Sequence, residues 1–422
     1  MSRPPGGAEP PPSWSRRRLR DVAVQIQDGT HFSPKPGGTD YKYITSRNIG
    51  PGYLKLDSVE TIAEAEHRKI FQRCKVRFGD LLLTKDGANT GNAAISSFRE
   101  EVSLLSSVAV IRADRRQALE AYLLHYLLSH SGRKQIADAM SGNAITRLTL
   151  ATIKELVVPL PPVEEQRAIA AVLATLDGQA DALRALIVKR QNVKQAMMQQ
   201  LLTGTKRLPG FEEPWAARSM RSLGVVYGGL TGKTRADFGV GAALYVPFMA
   251  VLASACVTRE SLLRVRIGRA ERQNAVRTGD LLFNTSSETP EELAMCAVAQ
   301  DLPPDTYLNS FCFGFRLSSP NVANPRFLAY FFRSEIGRRL MVELAQGATR
   351  YNLSRSKFRE TVIELPAIDE QRAIAAVLED ADAEITALGD RLAKAHMIKQ
   401  GMMQELLTGR TRLPVAQEET AA

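Results

Sequence analysis

The sequence predicts an α/β fold of the α+β type, with two mixed α/β domains in tandem and two long helices that form an antiparallel coiled coil. An internal repeat is the first observation, because residues 165–209 recur at 370–414 and EQRAIAAVL is identical in both copies. Apolar residues in both copies follow alternating steps of four and three, which is the spacing of a coiled-coil seam. Short β-like segments precede each helix. The period is too long for a solenoid, whose repeats have roughly 20–50 residues, so the chain is one unit written twice, with a pseudo-two-fold relation.

The order of the segments follows from landmarks that the two copies share. Trp14 corresponds to Trp215, and VRFGDLL at 76–82 corresponds to VRTGDLL at 276–282. Each α/β part ends in a short apolar run with proline, which starts a long helix. We expect a disordered leader at 1–15, a first domain at 16–160, a first helical segment at 161–208, a second domain at 209–365, a second helical segment at 366–410 and a tail at 411–422.

The two long helices are expected to run from about Val163 to Thr203 and from about Ile368 to Thr408. The predicted seams contain Ile169, Leu173, Leu176, Ala180, Leu183, Ile187, Met197 and Leu201 in the first helix, and Ile374, Leu378, Ala381, Ile385, Leu388, Leu392, Met402 and Leu406 in the second. Neither helix can leave such a stripe in water, so we expect the helices to pack on each other. An approximate two-fold axis makes the pairing antiparallel and places the α/β domains at opposite ends of a spacer.

Polar and methionine positions recur beside these seams, which a purely apolar stripe does not require. The methionines are expected to lie off the inner seam, where a flexible thioether side chain gives an adaptable apolar surface for a partner. Helix capping and solvent-exposed positions are the alternative explanation. The candidate partner-binding residues are Gln166, Arg167, Met198 and Gln199 in the first copy, and Gln371, Arg372, Met403 and Gln404 in the second.

Composition favours a nucleic-acid partner and excludes a membrane span. The net charge of +10 is typical of a protein that binds a polyanion. No stretch of 18 apolar residues is present, and the N-terminal segment has no apolar core of a secretory signal, so we expect a cytoplasmic protein. The four cysteines have neither metal-ligand spacing nor matched positions in the repeat, and we interpret them as reduced thiols.

Catalytic and cofactor motifs are not found in the sequence. GGLTGKT at 228–234 resembles a phosphate-binding loop, but Tyr227 stands where the first glycine is required. NPRF at 324–327 resembles an amino-methyltransferase motif, but Arg326 replaces its second proline and no glycine-rich cofactor loop follows a strand nearby. We therefore expect a chain that is not an enzyme and binds neither a metal nor a cofactor.

Polar loops that differ between the two copies are the candidate DNA-binding surface. Arg and Lys suit guanine, Asn suits adenine, and hydroxyl groups suit either base edges or phosphates. The same residue types also form ordinary turns, and drift in unimportant loops could produce the same divergence. The candidates are Thr30, His31, Lys35, Tyr43, Ser46, Arg47, Asn48, Lys85, Asn89 and Thr90 in the first copy, and Thr231, Lys233, Thr234, Arg235, Asn284, Ser286, Ser287, Arg350, Tyr351 and Asn352 in the second.

The chain resembles the specificity subunits of type I restriction-modification systems. The resemblance rests on LPPVEEQRAIAAVL at 160–173, LPAIDEQRAIAAVL at 365–378, the LLTG helix ends, the GDLL strand with its polar glycine loop, and DGTH at 28–31. It implies two target-recognition domains that each read one half of an asymmetric DNA site. It also implies two adenine-methyltransferase partners and ATP-dependent restriction subunits, with AdoMet, Mg²⁺ and ATP bound by those partners rather than by this chain.

Two other functions remain possible from the sequence. A coiled-coil adaptor with non-specific nucleic-acid affinity retains the repeat but gives no reason for divergent polar loops. A stand-alone modification enzyme requires AdoMet motifs of its own. The second copy lacks DGTH and the KDG loop, so its reading residues are assigned by position in the repeat alone.

Overall fold

The computed structural model describes residues 11–35, 38, 40–140, 147–347 and 349–414. The chain forms two compact units, of which unit 1 contains Met1–Arg184 with Asp390–Ala422 and unit 2 contains Ala185–Gly389. Each unit therefore takes one α/β part together with the first half of one long helix and the second half of the other.

Unit 1 alternates short strands and helices before its long helix. Its strands are β1 (Ser15–Arg18), β2 (Ala23–Asp28), β3 (Tyr41–Ile44), β4 (Glu60–Ile62), β5 (Leu81–Thr84), β6 (Ala93–Ile95), β7 (Ser103–Leu104), β8 (Val108–Ala113) and β9 (Val157–Leu160). Its helices are α1 (Leu19–Val22), α2 (Glu64–Arg73), α3 (Glu120–Leu128), α4 (His130–Met140) and α5 (Leu150–Glu155), and α6 (Val163–Leu201) begins in this unit.

The central sheet of unit 1 has the antiparallel order β2-β8-β5-β6, and smaller sheets have the orders β4-β3-β7 and β1-β9. Its strand β5 is buried on both faces, which explains an apolar run without alternation. Leu81 and Leu83 belong to the core that contains Tyr122 of α3, whereas Leu82 belongs to a second core with Val110. The sheet therefore separates a layer of helices from the layer that carries the polar loops.

Unit 2 repeats this plan with additional short strands. Its strands are β10 (Ala216–Ser219), β11 (Gly224–Gly228), β12 (Phe238–Val246), β13 (Cys256–Val257), β14 (Leu263–Val265), β15 (Leu281–Asn284), β16 (Ser286–Ser287), β17 (Cys296–Ala299), β18 (Thr306–Leu308), β19 (Cys312–Leu317), β20 (Ala345–Gln346), β21 (Tyr351–Leu353) and β22 (Val362–Leu365). Its helices are α7 (Met220–Leu223), α8 (Phe248–Ala253), α9 (Pro325–Arg333), α10 (Glu335–Glu343) and α11 (Arg355–Glu360), and α12 (Ile368–Leu407) begins in this unit. The sheets have the orders β11-β19-β15-β17-β13, β14-β12-β18, β16-β21-β20 and β10-β22.

One buried ion pair occupies the same place in the sheet of each unit. In unit 1, Arg112 of β8 donates two hydrogen bonds of 2.7 Å to Asp80, which stands just before β5. In unit 2, Arg316 of β19 donates bonds of 2.8 and 2.6 Å to Asp280 before β15. The recurring GDLL segment is thus explained by a structural role, because its aspartate anchors the neighbouring strand.

The long helices pair in antiparallel fashion within each unit. In unit 1, Asp177 pairs with Lys399, and Arg184 donates to His396 Nε2 at 2.7 Å. In unit 2, Arg190 pairs with Glu384 at 2.9 Å and Lys194 with Asp382 at 2.5 Å. In both units the residue number rises along one helix as it falls along the other. The predicted α/β fold with a repeated antiparallel coiled coil is therefore confirmed.

The recurring Glu-Gln pair at the start of each long helix has an internal structural role. Glu165 is 1% exposed and accepts bonds from Arg412, one of them 2.6 Å long. Glu370 is likewise 1% exposed and accepts two bonds of 2.6 Å from Arg207. Each arginine follows the LLTG end of a long helix, so each pair joins the start of one long helix to the segment after the end of the other.

The prediction that Gln166 and Gln371 form a partner surface is wrong, because both side chains are buried and bonded to backbone. Gln166 accepts from Leu119 N at 2.9 Å and donates to the carbonyls of Gln117 and Pro161 at 2.9 Å. Gln371 makes the same clamp with Asn324 N and Pro366 O, both at 2.8 Å. The glutamines fix the helix that covers each sheet to the long helix below it.

The prediction that Met198 and Met403 lie on an outer surface is also wrong. Met198 is 6% exposed in the core of unit 2, and Met403 is 8% exposed in the core of unit 1. The end of each long helix packs on an α/β core as well as on the other helix, so its apolar surface is wider than a coiled-coil seam. Arg167, Arg372, Gln199 and Gln404 are exposed and remain candidates for partner contact.

The expected leader at 1–15 overlaps ordered structure at its end. Trp14 is 6% exposed in the core of unit 1, and β1 begins at Ser15. The guanidinium of Arg412 lies 6.0 Å from the Trp14 ring centroid, as that of Arg207 lies 5.9 Å from Trp215 in unit 2. The rest of the leader, residues 1–10, and the end of the tail, residues 415–422, lie outside the described residues.

Candidate nucleic-acid interface

The predicted DNA-binding loops of unit 1 meet beside the turn that precedes β8. Thr30 O accepts a bond of 2.7 Å from Ser106 N, which joins the DGTH loop to this turn. Ser46 N donates to Ser107 Oγ at 3.2 Å, and Lys85 N donates to Ser107 O at 2.8 Å. The three loops, whose residues Thr30, Ser46 and Lys85 are 16 to 55 positions apart in the chain, are therefore held as one surface.

Lys85 does not act as a free base-reading cation, which corrects its assignment. Its side chain is 2% exposed, and its ammonium group lies 2.9 Å from Asp86 and 3.4 Å from Asp28. His31 Nε2 lies 3.5 Å from the same Asp28 carboxylate, and Arg147 Nε lies 3.0 Å from Asp86 Oδ1. Because the charge is enclosed by carboxylates, this network joins the DGTH and KDG loops and holds their shape.

Three more candidates of unit 1 are buried and shape the loops from within. Thr30, Tyr43 and Asn48 are 2%, 5% and 3% exposed. Asn48 accepts from Thr45 N at 2.9 Å and donates to Lys55 O at 3.2 Å, so its amide is used in the turn. Burial raises the pKa of Tyr43 to about 12. Their assignment as direct DNA contacts is wrong in this structure.

The remaining candidates of unit 1 are accessible to a ligand. The side chain of Arg47 is 85% exposed, with Glu60 at 3.8 Å, and that of His31 is 49% exposed. The accessible members of the predicted set are His31, Lys35, Ser46, Arg47, Asn89 and Thr90. They supply cationic, amide and hydroxyl groups to one loop surface.

The two later candidate loops of unit 2 are brought together by strand pairing. β16 pairs with β21, so Ser286 faces Asn352 and Ser287 faces Tyr351. Arg350 Nη2 lies 3.4 Å from Ser286 Oγ. The outer part of this loop surface contains Arg350, Tyr351 and Asn352. Ser286 and Ser287 are only 4% and 8% exposed and form the base of the surface. The assignment of these two serines as direct DNA contacts is therefore wrong.

Asn284 is a further correction, because its amide is fully buried. Its Nδ2 donates to Ser286 O at 3.1 Å and to Glu292 O at 2.9 Å, and its Oδ1 accepts from Met295 N at 2.6 Å. Three backbone partners leave the amide no capacity for a base. Asn284 fixes the loop after β15, which is the structural role that Lys85 has after β5.

The first candidate loop of unit 2 contacts a different segment. Thr231 N donates to Gln273 Oε1 at 3.1 Å, and Lys233 forms an ion pair with Glu271. Thr234 N donates to Asp237 Oδ2 at 2.9 Å. Thr231, Thr234 and Arg235 are exposed, so this loop and the segment around 271–273 form a second polar surface of unit 2. The Lys233 side chain is only 4% exposed, which corrects its assignment as a direct DNA contact.

An arginine-rich segment beside that loop is absent from the predicted set. β14 pairs with β12, and the bulge in this pairing sets Val265 opposite both Phe238 and Ala243. The exposed arginines of this segment are Arg259, Arg264, Arg266, Arg269, Arg272 and Arg277. Six arginines within 19 residues are a charge pattern that the sequence does display, and it suits contact with phosphates.

Exposed aromatic rings next to the loops are a second group that is absent from the predicted set. Phe311 is 53% exposed, and the Arg350 guanidinium lies 5.6 Å from its ring centroid. Its backbone is fixed, because Asn309 Oδ1 accepts from Phe311 N at 2.9 Å and Thr285 N donates to Phe311 O at 2.9 Å. Phe32 is 48% exposed within unit 1. Sequence alone does not distinguish such rings from core aromatics.

The described residues offer little evidence for other kinds of site. No group of three or more His, Cys, Asp or Glu among them has an arrangement that could hold a metal ion. The four cysteines are free thiols, and burial raises the pKa of Cys74 and Cys312 to about 12. Within the part of the chain that the structure describes, no helix is both long and apolar enough to cross a membrane.

Two units with one internal skeleton and different basic, polar loop surfaces define a nucleic-acid reader with two recognition parts. The family model of the type I restriction modification DNA specificity domain matches residues 11–189 and 268–394. The chain therefore belongs to the family of type I restriction-modification DNA specificity proteins, and its role is DNA sequence specificity within such a system.

Relatives with this role align over different lengths. The type I restriction enzyme MjaVIII specificity subunit of Methanocaldococcus jannaschii is 22% identical over 386 residues, which cover 88% of this chain and 86% of the relative. The EcoKI specificity subunit of Escherichia coli K12 is 22% identical over 76% of this chain and 71% of the relative. The putative MjaX specificity subunit of M. jannaschii is 26% identical over 202 residues, and that alignment spans only 46% of this chain and 47% of the relative.

Solved structures share the fold at low sequence identity. A chain from a type I R-M system, solved for its complex assembly and conformational transition, has a TM-score of 0.60 and 19% identity, and the match covers 96% of this chain and all of that one. The S subunit of a type I restriction-modification system from M. genitalium has a TM-score of 0.56 and 13% identity, with 93% and 96% covered. At these identities the likeness supports the fold alone.

Proposed function

We propose that this chain reads a bipartite, asymmetric DNA site, with one half-site recognised by each unit. The observation that carries the proposal is the pairing of a repeated skeleton with unlike loop surfaces. Both units retain the Asp–Arg pair of the sheet and the glutamine clamp of the long helix. Their accessible loops differ in nearly every residue. Two units with the same skeleton and different loops can hold their DNA-binding loops in the same geometry and still recognise different sequences.

The accessible side chains divide by the DNA group that each suits. Arg47 and Asn89 in unit 1, and Arg350 and Asn352 in unit 2, have donors and acceptors of the kind that bind base edges in the major groove. The exposed arginines of the segment at 259–277 in unit 2 suit phosphates, which position a protein without reading sequence. Loss of a phosphate contact weakens binding to all sequences alike.

The chain acts within an assembly rather than as an enzyme. It recruits two adenine-methyltransferase subunits and, in the complete system, ATP-dependent restriction subunits. AdoMet, Mg²⁺ and ATP are bound by those partners, and the assembly works in the cytoplasm. Arg167, Gln199, Arg372 and Gln404 are exposed on the long helices and are the remaining candidates for methyltransferase contact.

Transfer of a labelled methyl group from AdoMet to DNA tests this role. The chain, a cognate adenine methyltransferase and their mixture are assayed separately on DNA that contains potential sites. The mixture is expected to label adenines in a two-part sequence, while the chain alone labels none. Robust labelling by the chain alone contradicts the proposal, as does labelling by the methyltransferase that is unchanged when the chain is added.

A further inference from the structure

The outer edge of β9 in unit 1 is closed by side chains. Val157 N donates to Gln135 Oε1 at 2.6 Å, and Val157 O accepts from Gln135 Nε2 at 3.0 Å and from Tyr126 Oη at 3.1 Å. Pro159 has no N–H to offer, and its carbonyl accepts from Tyr122 Oη at 2.7 Å. The side of β9 that faces away from β1 therefore presents no free pair of backbone groups at these two residues.

The equivalent strand β22 of unit 2 has the same register but lacks every one of these closures. The shared Ser-x-x-Gly helix starts, at 129–132 and 334–337, align Gln135 with Leu340. By the same alignment Phe331 replaces Tyr126, Phe327 replaces Tyr122, and Glu364 replaces Pro159. None of the replacing side chains at positions 327, 331 and 340 can form a hydrogen bond. Pro159 has no backbone N–H, whereas Glu364 at the equivalent position of unit 2 does have one.

The strand register shows where the free groups of β22 point. Ser219 faces Val362, and Met220 N donates to Thr361 O at 2.9 Å, which makes Ser219–Val362 a non-hydrogen-bonded pair of the antiparallel ladder. The N–H and C=O of Val362 therefore point away from β10, and those of Glu364, two residues further, do the same. Among the contacts of the described residues, no side chain bonds any of these four groups. Val362 is 55% exposed.

A groove with an apolar floor and a basic rim lies along this edge. Its volume is about 740 Å³, and Leu340, Leu344 and Val362 supply its apolar surface. Lys357 and Arg359 stand at the rim, and neither forms an ion pair among the described residues. In unit 1 the corresponding positions are Thr152 and Lys154, so the doubled positive charge is specific to unit 2.

We propose that the edge of β22 accepts an extended, acidic segment of a partner polypeptide as an added β-strand. Alternating N–H and C=O groups match the backbone of another chain, whereas a phosphate can use only the donors. One apolar side chain of the segment enters the groove, and acidic side chains meet Lys357 and Arg359. Of the two equivalent edges, β9 and β22, only that of β22 is open among the described residues, so one protein chain binds one such segment at this position.

A synthetic peptide tests the proposal without any other subunit. The probe is a fluorescent seven-residue peptide that alternates Glu and Val, acetylated and amidated at its ends, and binding to the full chain is followed by anisotropy. Leu340→Gln introduces the amide that closes the edge in unit 1, and Glu364→Pro removes the second donor. Loss of two strand hydrogen bonds is expected to weaken peptide binding by about tenfold or more. Gln135→Leu in unit 1 is the matched control and should leave peptide binding unchanged, because Tyr126, Tyr122 and Pro159 still close the edge of β9.

Backbone amide exchange and charge reversal complete the test. In the free chain, the amide of Val362 should exchange much faster than that of Val157, and the peptide should protect Val362 and Glu364. Lys357→Glu with Arg359→Glu should weaken peptide binding while thermal unfolding is unchanged. Equal peptide affinity of the wild type and Leu340→Gln overturns the proposal. It is also overturned if the wild type binds no peptide, if duplex DNA rather than peptide protects the edge, or if a second copy of the chain occupies it.

Discussion

The enclosed ammonium group of Lys85 connects the two loop motifs of unit 1. It lies between the carboxylates of Asp28 and Asp86, and Asp28 is itself only 4% exposed. A buried ion pair contributes little net stability as a whole, but removal of one partner leaves an uncompensated charge in a medium of low polarity. The residue therefore matters for the shape of the DNA-binding surface rather than as a contact.

Lys85→Met is expected to destabilise the chain and to loosen both loops. The free energy of unfolding should fall by about 3–5 kcal/mol, because Asp28 then has no buried partner. Arg47→Ala is the control and should change the unfolding free energy by less than about 0.5 kcal/mol while weakening DNA binding. Denaturant unfolding of both variants measures this. A Lys85→Met chain of wild-type stability but altered sequence preference would restore Lys85 as a base contact.

His125 makes the stability of unit 1 depend on pH, and unit 2 has a tyrosine at the equivalent position. Burial lowers its pKa from 6.5 to about 4, despite the nearby Asp177 carboxylate, and its Nδ1 has no hydrogen-bond partner among the described residues. Between these pH values the unfolded chain binds a proton that the folded chain does not. Stability is therefore complete above pH 6.5 and falls as the pH is lowered towards 4, by roughly 2–3 kcal/mol in all.

A substitution taken from unit 2 isolates this effect. Tyr330 occupies the position of His125 in the repeat, and its hydroxyl donates to Asp382 at 2.7 Å. His125→Tyr should remove the difference in stability between pH 7 and pH 4.5 that the histidine causes. Unfolding of the wild type and the variant at both pH values measures it. Equal pH dependence of the two proteins would show that the histidine is not buried as a neutral ring.

At the scale of elements, the Glu-Gln pair explains why the starts of the two long helices are almost identical. Each glutamine clamps backbone groups on the helix above the sheet, and each glutamate holds the arginine that follows the end of the other long helix. The Glu-Gln sequence is therefore identical in the two copies because it makes the same contacts at the start of both long helices. The junctions are rigid because every polar atom of the pair has a partner within its unit.

Gln371→Ala is expected to cost roughly 2–4 kcal/mol of unfolding free energy, since Asn324 N and Pro366 O lose their partner in a buried place. The matched control is Gln404→Ala on the exposed surface of the same helix, which should change stability by less than about 0.5 kcal/mol. Chemical unfolding followed by circular dichroism compares the two. The clamp has no structural role if Gln371→Ala is as stable as the control.

At the scale of the whole molecule, the repeat was sufficient to predict the two α/β units, the long helices and their antiparallel pairing. Helical periodicity survives in the sequence because the seam residues of each helix are buried or half-buried, whereas most of the residues between them are exposed. The bounds of the helices were predicted to within two residues, since the prolines and the LLTG segments end them by local chemistry.

The contact residues were predicted less well, because burial of a polar side chain depends on distant segments. In the sequence, Lys85 and Asn284 each stand at the end of an apolar run. Folding brings the Asp28 carboxylate to Lys85 and the Glu292 carbonyl to Asn284, and neither contact can be read from the sequence. Met198 and Met403 were predicted to be exposed because the coiled-coil pattern describes only the contact between the two helices. Both side chains are instead buried against an α/β core. The arginines at 259–277 were visible in the sequence and could have been included.

Sequencing of methylated DNA from complexes with loop variants tests the division of the target between the units most directly. One variant carries Arg47→Ala and Asn89→Ala in unit 1, and the other carries Arg350→Ala and Asn352→Ala in unit 2. Each lost base contact should reduce discrimination by about 1–3 kcal/mol at its own position. We predict that the first variant relaxes one half of the methylated sequence and the second relaxes only the other half. Relaxation of the same half-site by both variants, or an unchanged site for both, contradicts one reader per unit.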